Sequence, residues 1–139
     1  MPIIAPMQGL HLTADLHRCA AVPAMTDPAA LRAHCLGAVR ESGLTPVGEL
    51  FHRFDAPAGP AGGPAGITGV VLLAESHLAL HTWPELGAVT VDVYVCNFGA
   101  DNSAKAHALL DALLRVFVPG EVTHQQLQRG AIPRVAAAA

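Results

Sequence analysis

Two runs of the sequence predict β-structure most clearly: ITGVVLLA at residues 67–74 and AVTVDVYVC at residues 88–96. The first run is apolar throughout, which is typical of a central strand buried on both faces. In the second run valines alternate with Thr90, Asp92 and Tyr94, and this period of two predicts a strand with one apolar face. The two runs therefore indicate the middle of a β-sheet.

Outside this centre the chain predicts two helices and three further strands. Asp27 followed by Pro28 is typical of a helix start, and Gly43 is typical of a helix end. The apolar spacing predicts a second helix from about Ser103 to Phe117. Further strands are predicted at residues 9–16, at residues 45–54 and in the run EVTHQQLQ at residues 121–128.

The predicted order is strand, helix, three strands, helix, strand. This pattern indicates an α+β fold in which two helices pack on one face of an antiparallel sheet. We expect residues 1–139 to form a single domain, and residues 55–66, DAPAGPAGGPAG, to form a flexible loop within it. The other face of the sheet needs a cover, which predicts a homodimer.

The composition excludes several classes of function. The chain has 139 residues, of which 52% are hydrophobic and 14% charged, and its net charge is −3 with histidine neutral. This balance provides no basic surface for nucleic acid. No apolar run reaches the roughly 20 residues of a membrane-spanning helix. The opening MPIIAPMQGL lacks the pattern of a signal peptide, so we expect a cytoplasmic protein with no nucleic-acid or membrane partner.

The three cysteines are Cys19, Cys35 and Cys96. An odd number without a CxxC motif argues against a disulfide framework. Cys35 follows Leu31 and precedes Val39 at four-residue intervals, so it falls on the apolar stripe of the first predicted helix. We therefore expect Cys35 to be a core side chain, and we favour a core role for Cys19.

Polar residues crowd between the two central strands, where the surroundings are most apolar. The cluster consists of Glu75, Ser76, His77, His81, Thr82 and Glu85. Burial of such groups costs free energy unless partners compensate for it, so the cluster is a candidate site. The ordinary alternative is a strand end that carries solvated polar side chains.

Two familiar chemistries fit this cluster poorly. A metal site on a helix would use His77, His81 and Glu85 at four-residue spacing, but Pro84 interrupts that helix and no HExxH motif is present. A serine hydrolase would need a GxSxG motif, whereas Ser76 is flanked by glutamate and histidine.

In a third interpretation the chain cuts itself. The Ser76 hydroxyl attacks the preceding carbonyl, that of Glu75, and converts the peptide into an ester. A base then removes the Ser76 α-proton, and elimination leaves an α-keto acyl group at the new N-terminus. His81 is suited to be this base by its residue type. Because strand alternation places Ser76 and His81 on opposite faces, the interpretation predicts a bend between them.

The run AESHLALHTWPE at residues 74–85, followed by VDVYVC at residues 91–96, resembles the prokaryotic S-adenosylmethionine decarboxylases. These are pyruvoyl-dependent enzymes of spermidine biosynthesis. The resemblance rests on Glu-Ser-His at the self-cleavage site, a histidine five residues after the serine, the HTWPE run, and a cysteine twenty residues after the serine. Weaker agreement extends over most of residues 9–99.

This resemblance implies a cofactor made from the chain itself. Cleavage between Glu75 and Ser76 would give a β chain, residues 1–75, and an α chain, residues 76–139, with Ser76 converted into a pyruvoyl group. The pyruvoyl ketone would form a Schiff base with the substrate amine, and its neighbouring carbonyl would accept the electrons released as CO₂ leaves.

The resemblance also implies roles for five other residues. His81 would be the processing base, and Thr68 would assist processing at a position where the family usually has serine. Cys96 would donate a proton to the substrate carbon after decarboxylation. Phe54 would stack on adenine, and Glu85 would bind the ribose hydroxyls. Of the eight histidines, only His81 is predicted to have a chemical role.

Three functional hypotheses follow. The first is a self-processing decarboxylase of S-adenosylmethionine that needs no metal, favoured by Phe54 and Glu85. The second is a pyruvoyl-dependent arginine or ornithine decarboxylase, because those relatives use the same chemistry. The third is an unprocessed, non-catalytic domain that pairs with an active partner or binds a metal through its histidines.

Overall fold

The structure, a computed structural model, describes residues 8–55, 63–97 and 99–130. These residues form one six-stranded antiparallel sheet and two α-helices. The strands are β1 (Gly9–His17), β2 (Pro46–Arg53), β3 (Ile67–Leu73), β4 (Ser76–Trp83), β5 (Ala88–Cys96) and β6 (Glu121–Arg129), and the helices are α1 (Pro28–Glu41) and α2 (Ser103–Phe117). Single 3₁₀ turns lie at Pro23–Met25 and Pro84–Leu86.

The spatial order of the strands is β2-β3-β4-β5-β1-β6, and every neighbouring pair is antiparallel. β3, β4 and β5 follow one another in the chain and in the sheet. β1 departs from this chain order, because it lies between β5 and β6 in the sheet. The first strand of the chain is therefore hydrogen-bonded on both sides by strands from the second half.

The core lies between the helices and one face of the sheet. β4 contributes Leu78 and Leu80, and α2 contributes Leu109, Leu113 and Phe117, all of them fully buried. Alternation along each strand sends the intervening side chains to the other face, which we call the open face. His77 and His81 of β4 lie on it.

Helix α1 begins as the sequence predicts. The Asp27 side chain accepts a hydrogen bond from the Ala29 main-chain N–H at 3.0 Å, and Pro28 occupies the first turn. The helix ends at Glu41, just before Gly43, whose φ of 89° suits glycine. Cys35 is completely buried on the inner side of α1, so its predicted core role is confirmed.

The α+β class, the antiparallel sheet and the two helices are confirmed. The predicted element order, however, lacks one strand, because β4 lies in the polar segment to which we assigned none. A two-residue turn, Ala74 and Glu75, joins β3 directly to β4. The period of two is present in Leu78, Leu80 and Thr82, but the polar residues between them conceal it. Most of the predicted loop, residues 56–62, lies outside the described residues.

The predicted bend between Ser76 and His81 is wrong. β4 pairs with β3 from Ser76 to His81 without a register shift, and its pairing with β5 is equally regular. Hydrogen bonding on both sides holds β4 straight, because each neighbouring strand fixes its register. No helix among the described residues has the length and apolar sequence that crossing a membrane requires.

One buried hydroxyl ties the sheet to the segment before α1. Thr82 is fully buried; its Oγ1 accepts a hydrogen bond from the Ile67 N–H at 2.9 Å and donates one to the Met25 carbonyl at 2.8 Å. Both partners are main-chain groups, so loss of this hydroxyl leaves a buried N–H and a buried C=O unpaired.

We expect Thr82→Val to lower the free energy of unfolding by about 2 kcal/mol, since each unpaired buried group costs about 1–3 kcal/mol. Thr123→Val is the matched control, because Thr123 is exposed on β6. That control should change stability by less than about 0.5 kcal/mol. Urea denaturation at one fixed protein concentration measures both variants, and equal stabilities would contradict the role of Thr82.

Candidate active site

Ser76 lies where the tight turn between β3 and β4 ends. Leu73 pairs with Ser76 across the hairpin, so Ala74 and Glu75 alone form the turn. The peptide between Glu75 and Ser76 is thus the junction of turn and strand. Ala74 and Glu75 are exposed and Ser76 is partly buried, so this peptide lies at the boundary with solvent.

The Ser76 hydroxyl oxygen is held by the next strand. The main-chain N–H of Cys96 donates a hydrogen bond to Ser76 Oγ at 3.1 Å. Because Oγ acts as the acceptor in this bond, its own proton stays free for another partner. The structure therefore brings Ser76 and Cys96 together, although they are twenty residues apart in the chain.

Cys96 is the last residue of β5 and is only 6% exposed. Its carbonyl accepts a hydrogen bond from Asn102 Nδ2 at 2.9 Å, and this contact ties the strand end to the beginning of α2. The main chain of Cys96 is thus fixed through both its N–H and its carbonyl.

An open cavity of about 450 Å³ adjoins the hairpin. Its polar lining comes from Glu75, Ser76, His77, Tyr94 and Arg129. The volume falls in the range of small-molecule sites, and the lining combines an acid, a hydroxyl, an imidazole, a phenol and a guanidinium. We call Ser76, Cys96 and this cavity the Ser76 group.

His81 has a different partner. Its Nδ1 lies 3.0 Å from the Thr68 hydroxyl, because the two residues face each other across β3 and β4. The β-branched side chain of Thr68 therefore brings its hydroxyl within hydrogen-bond distance of the His81 ring. The structure brings Thr68 and His81 together as a pair.

The predicted substrate-binding residues lie at the same end of β4 as His81. The Phe54 ring is 5.3 Å from that of Trp83, whose ring is in turn 6.2 Å from His81. Glu85 is exposed in the 3₁₀ turn that follows Trp83. We call this assembly of Phe54, Thr68, His81, Trp83 and Glu85 the His81 group.

The two groups lie far apart in one chain. Ser76 and His81 are separated by five residues of straight strand, roughly 16 Å at 3.3 Å per residue. Alternation directs their side chains to opposite faces, although Ser76, at the very start of β4, still lines the cavity together with the open-face residues His77 and Tyr94. One chain therefore does not bring His81 to its own Ser76. His77 and His81 share a face but lie roughly 13 Å apart along β4, so they and Glu85 do not converge on one ion.

A second polar network, which sequence analysis missed, lies beside Ser76. His77 Nε2 is 3.1 Å from Asp92 Oδ1, and His11 Nε2 is 3.4 Å from the same oxygen. The residues share the open face of three neighbouring strands, since His11 and His77 both pair with Tyr94 of β5. Strand alternation predicts from the sequence that each of these side chains lies on the polar face of its strand. That the three side chains are neighbours depends on the order of the strands in the sheet.

The Arg129 contact shows where the hydrogen of His11 lies. Arg129 Nη1 is 2.9 Å from His11 Nδ1, and a guanidinium can only donate. Nδ1 is therefore the acceptor, and neutral His11 carries its hydrogen on Nε2, the atom nearest Asp92. The ligand atoms of His11, His77 and Asp92 lie within 4.8 Å of one another. His11 Nε2 is buried and makes no hydrogen bond to any of the described residues, so the hydrogen bond within this cluster is the one between His77 and Asp92.

Comparison with known proteins shows what the chain is similar to. The family model described as S-adenosylmethionine decarboxylase matches residues 10–130. A curated relative, the S-adenosylmethionine decarboxylase proenzyme of Aquifex aeolicus, is 36% identical over 131 residues, which cover 93% of this chain and 86% of the relative. The proenzyme of Persephonella marina is 35% identical over 127 residues, with 90% and 84% covered.

A solved structure is similar as well. The crystal structure of the adenosylmethionine decarboxylase from Aquifex aeolicus superposes with a TM-score of 0.77 at 35% sequence identity. The match covers 94% of this chain and 97% of that one. The similarity thus extends over the whole sheet and both helices, and is not confined to the hairpin.

Burial makes one thiol inert. Desolvation raises the pKa of Cys35 to about 12, and it also raises the pKa of the half-buried Cys19. The thiolate is the reactive form, and a pKa near 12 leaves roughly one thiol in ten thousand ionised at pH 8.

We therefore expect iodoacetamide at pH 8 to alkylate Cys35 of the native protein far more slowly than Cys19. Peptide mass spectrometry measures both rates. In denaturant the two thiols should react alike, because the burial that distinguishes them is lost. Equal rates in the native protein would contradict the assigned burial of Cys35.

Proposed function

The chain belongs to the S-adenosylmethionine decarboxylase family, and we propose that it makes its own pyruvoyl group by cutting itself between Glu75 and Ser76. The enzyme is a carboxy-lyase that removes CO₂ from S-adenosylmethionine for polyamine biosynthesis. The observation that carries the proposal is the junction of turn and strand at Ser76, where the Cys96 N–H holds the hydroxyl oxygen.

Self-cleavage is supported by the local chemistry. Ser76 Oγ forms an ester with the Glu75 carbonyl, and a developing charge on Oγ is stabilised by the N–H of Cys96. Removal of the Ser76 α-proton then breaks the bond between Cβ and Oγ, which releases the β chain, residues 1–75, as a carboxylate and leaves a dehydroalanine at the start of the α chain, residues 76–139. Water converts this dehydroalanine into the pyruvoyl group with loss of ammonia. The name proenzyme, given to the relatives, agrees with such processing.

The residues present fit a pyruvoyl group at position 76. The precursor serine is there, and a cavity of about 450 Å³ adjoins it. Once formed, the group supplies the electron-accepting carbonyl that decarboxylation needs. Cys96, whose main-chain N–H holds Ser76 Oγ, donates from its thiol the proton that the substrate carbon takes up after CO₂ has left.

A homodimer completes the site. The open face exposes Leu50, Leu72 and Leu127 by 68%, 50% and 49%, so apolar side chains lie at both edges of the face that the helices leave uncovered. We propose that two copies pack with their open faces together, so that each Ser76 group meets the His81 group of the second copy. His81 then removes the Ser76 α-proton across the interface, and Thr68 orients its ring through the 3.0 Å contact.

The His81 group also provides the features of a nucleoside site. Phe54 presents an aromatic ring on which adenine can stack, next to Trp83. Glu85 presents an exposed carboxylate that can accept hydrogen bonds from both ribose hydroxyls. In the dimer these residues hold the substrate while its amino acid part reaches position 76 of the other copy.

The enzyme works in the cytoplasm under this proposal. Its three cysteines are unpaired in the structure. A reducing compartment keeps the Cys96 thiol able to donate a proton, whereas an oxidising one would expose it to disulfide exchange.

Denaturing mass spectrometry of the purified protein should show two chains, residues 1–75 and a pyruvoyl-blocked chain that starts at position 76. Ser76→Ala should remain one intact chain, because it lacks the attacking hydroxyl. An intact wild-type chain under all conditions would contradict self-cleavage, and stoichiometric zinc in that intact chain would favour the non-catalytic hypothesis.

The processed enzyme should release CO₂ from S-adenosylmethionine and not from arginine or ornithine when the three are assayed in parallel. Phe54→Leu should raise the KM for S-adenosylmethionine about tenfold, since a lost ring contact costs about 1 kcal/mol or more. Release from arginine or ornithine alone would overturn the assigned substrate.

Mixed dimers test the shared site. Ser76→Ala and His81→Ala are each expected to be inactive alone. When the two variants are co-expressed, half of the dimers pair one of each, and one of their two sites combines an intact Ser76 with an intact His81. Cleavage and activity should therefore return to about a quarter of the wild-type level. No recovery despite mixed dimers in native mass spectrometry would contradict the interface.

A further inference from the structure

His77 directly follows the peptide bond at Ser76 and is held in a fixed orientation. Its Nε2 lies 3.1 Å from Asp92 Oδ1, and its ring stacks on Tyr94 with 5.7 Å between centroids and 28° between planes. His77 lines the same cavity as Glu75 and Ser76. An imidazole with a fixed carboxylate partner thus borders the bond that is cut.

The Asp92 contact determines which nitrogen of His77 is the base. An ionised carboxylate only accepts hydrogen bonds, so Nε2 carries the hydrogen and Nδ1 of the neutral ring keeps its lone pair. Nδ1 is bonded to Cγ and therefore lies nearer to the main chain than Nε2 does. The basic nitrogen is on the side of the ring closer to the residue 76 peptide.

His11 lies on the other side of Asp92, close to it but without a hydrogen bond. Asp92 Oδ1 lies 3.4 Å from His11 Nε2, the nitrogen that carries the hydrogen because Arg129 donates to His11 Nδ1. The pair of His77 and Asp92 is thus a histidine base oriented by a carboxylate. The same arrangement activates the serine hydroxyl in serine hydrolases.

We propose that His77 is the acid–base group for the first step of self-cleavage, the conversion of the Glu75–Ser76 peptide into an ester. Because neighbouring strand side chains point to opposite faces, His77 Nδ1 takes the proton from Ser76 Oγ through a water in the cavity that both residues line, as Oγ bonds to the Glu75 carbonyl carbon. It returns that proton to the Ser76 nitrogen as the carbon–nitrogen bond breaks, so nothing is oxidised or reduced. The cavity has room for a bridging water, which occupies about 30 Å³.

This inference rests on the proposed self-cleavage and assigns a different histidine to each of its two steps. His77 serves the ester-forming step within one chain, and His81 of the second copy serves the later elimination. The two steps differ in what accumulates when each base is lost. Without elimination the ester persists, whereas without ester formation the peptide stays intact.

Hydroxylamine separates the two cases. It attacks an ester at the Glu75 carbonyl and releases residues 1–75 as a hydroxamate, but it leaves a peptide bond intact under mild conditions. Freshly synthesised wild type, His77→Gln, His81→Ala and the control His107→Gln are followed by mass spectrometry with and without hydroxylamine. His107 is exposed on α2, away from the open face.

We expect His77→Gln to form chains about 100-fold more slowly than wild type or more, with no hydroxamate. His81→Ala should yield the Glu75 hydroxamate, and His107→Gln should cleave like wild type. Cleavage of His77→Gln at the His107→Gln rate would overturn the inference, and so would accumulation of the hydroxamate in His77→Gln. If wild type itself never cleaves, the proposed function fails first.

Two further measurements separate chemistry from folding. Asp92→Asn keeps the side-chain shape but removes the carboxylate, and it should slow ester formation while the circular dichroism spectrum and dimer mass stay unchanged. Added imidazole should restore part of the cleavage in His77→Ala, because the His77 side chain is 37% exposed and a small base can enter its place. A folded His77→Ala that imidazole does not rescue, or an Asp92→Asn that cleaves at the wild-type rate, would overturn the inference.

Discussion

A straight strand cannot place side chains five residues apart on the same face. Hydrogen bonds from β3 and β5 on both sides keep β4 straight between Ser76 and His81, and this constraint organises the rest of the molecule. It places Ser76 and His81, the two residues proposed for processing, at opposite ends of the strand. A chemistry that needs both then calls for a second copy, and the exposed leucines of the open face offer the surface on which that copy can pack.

The sequence predicts much of the fold because its periodicities are local. The valines of β5 and the capped start of α1 at Asp27 each follow from a few neighbouring residues. The sequence does not predict β4, because Ser76, His77 and His81 interrupt its alternation of apolar residues and make the segment look like a polar cluster. The bend was expected for a related reason: a mechanism confined to one chain demanded it, whereas the hydrogen-bond ladder forbids it.

The candidate site likewise has a part that the local sequence predicts and a part that only the strand order reveals. Ser76, Glu75 and Cys96 can be found from motif and spacing, and the register of β4 with β5 then brings Ser76 and Cys96 into contact. The contact of His77 with His11 through Asp92 could not be predicted, because it depends on β1 lying next to β5. Nothing in the local sequence of Gly9–His17 indicates that neighbour, so these histidines received no role.

The place of β1 in the sheet has a mechanical consequence once the chain is cut. β1 belongs to residues 1–75, yet both strands beside it, β5 and β6, belong to residues 76–139. Each fragment is thus interlaced with the other, and the fragments cannot part unless the ladders on both sides of β1 and the one between β3 and β4 all open. The proposed break at Glu75 removes a covalent link without freeing either piece, because the hydrogen bonds of three strand pairs still join the two fragments.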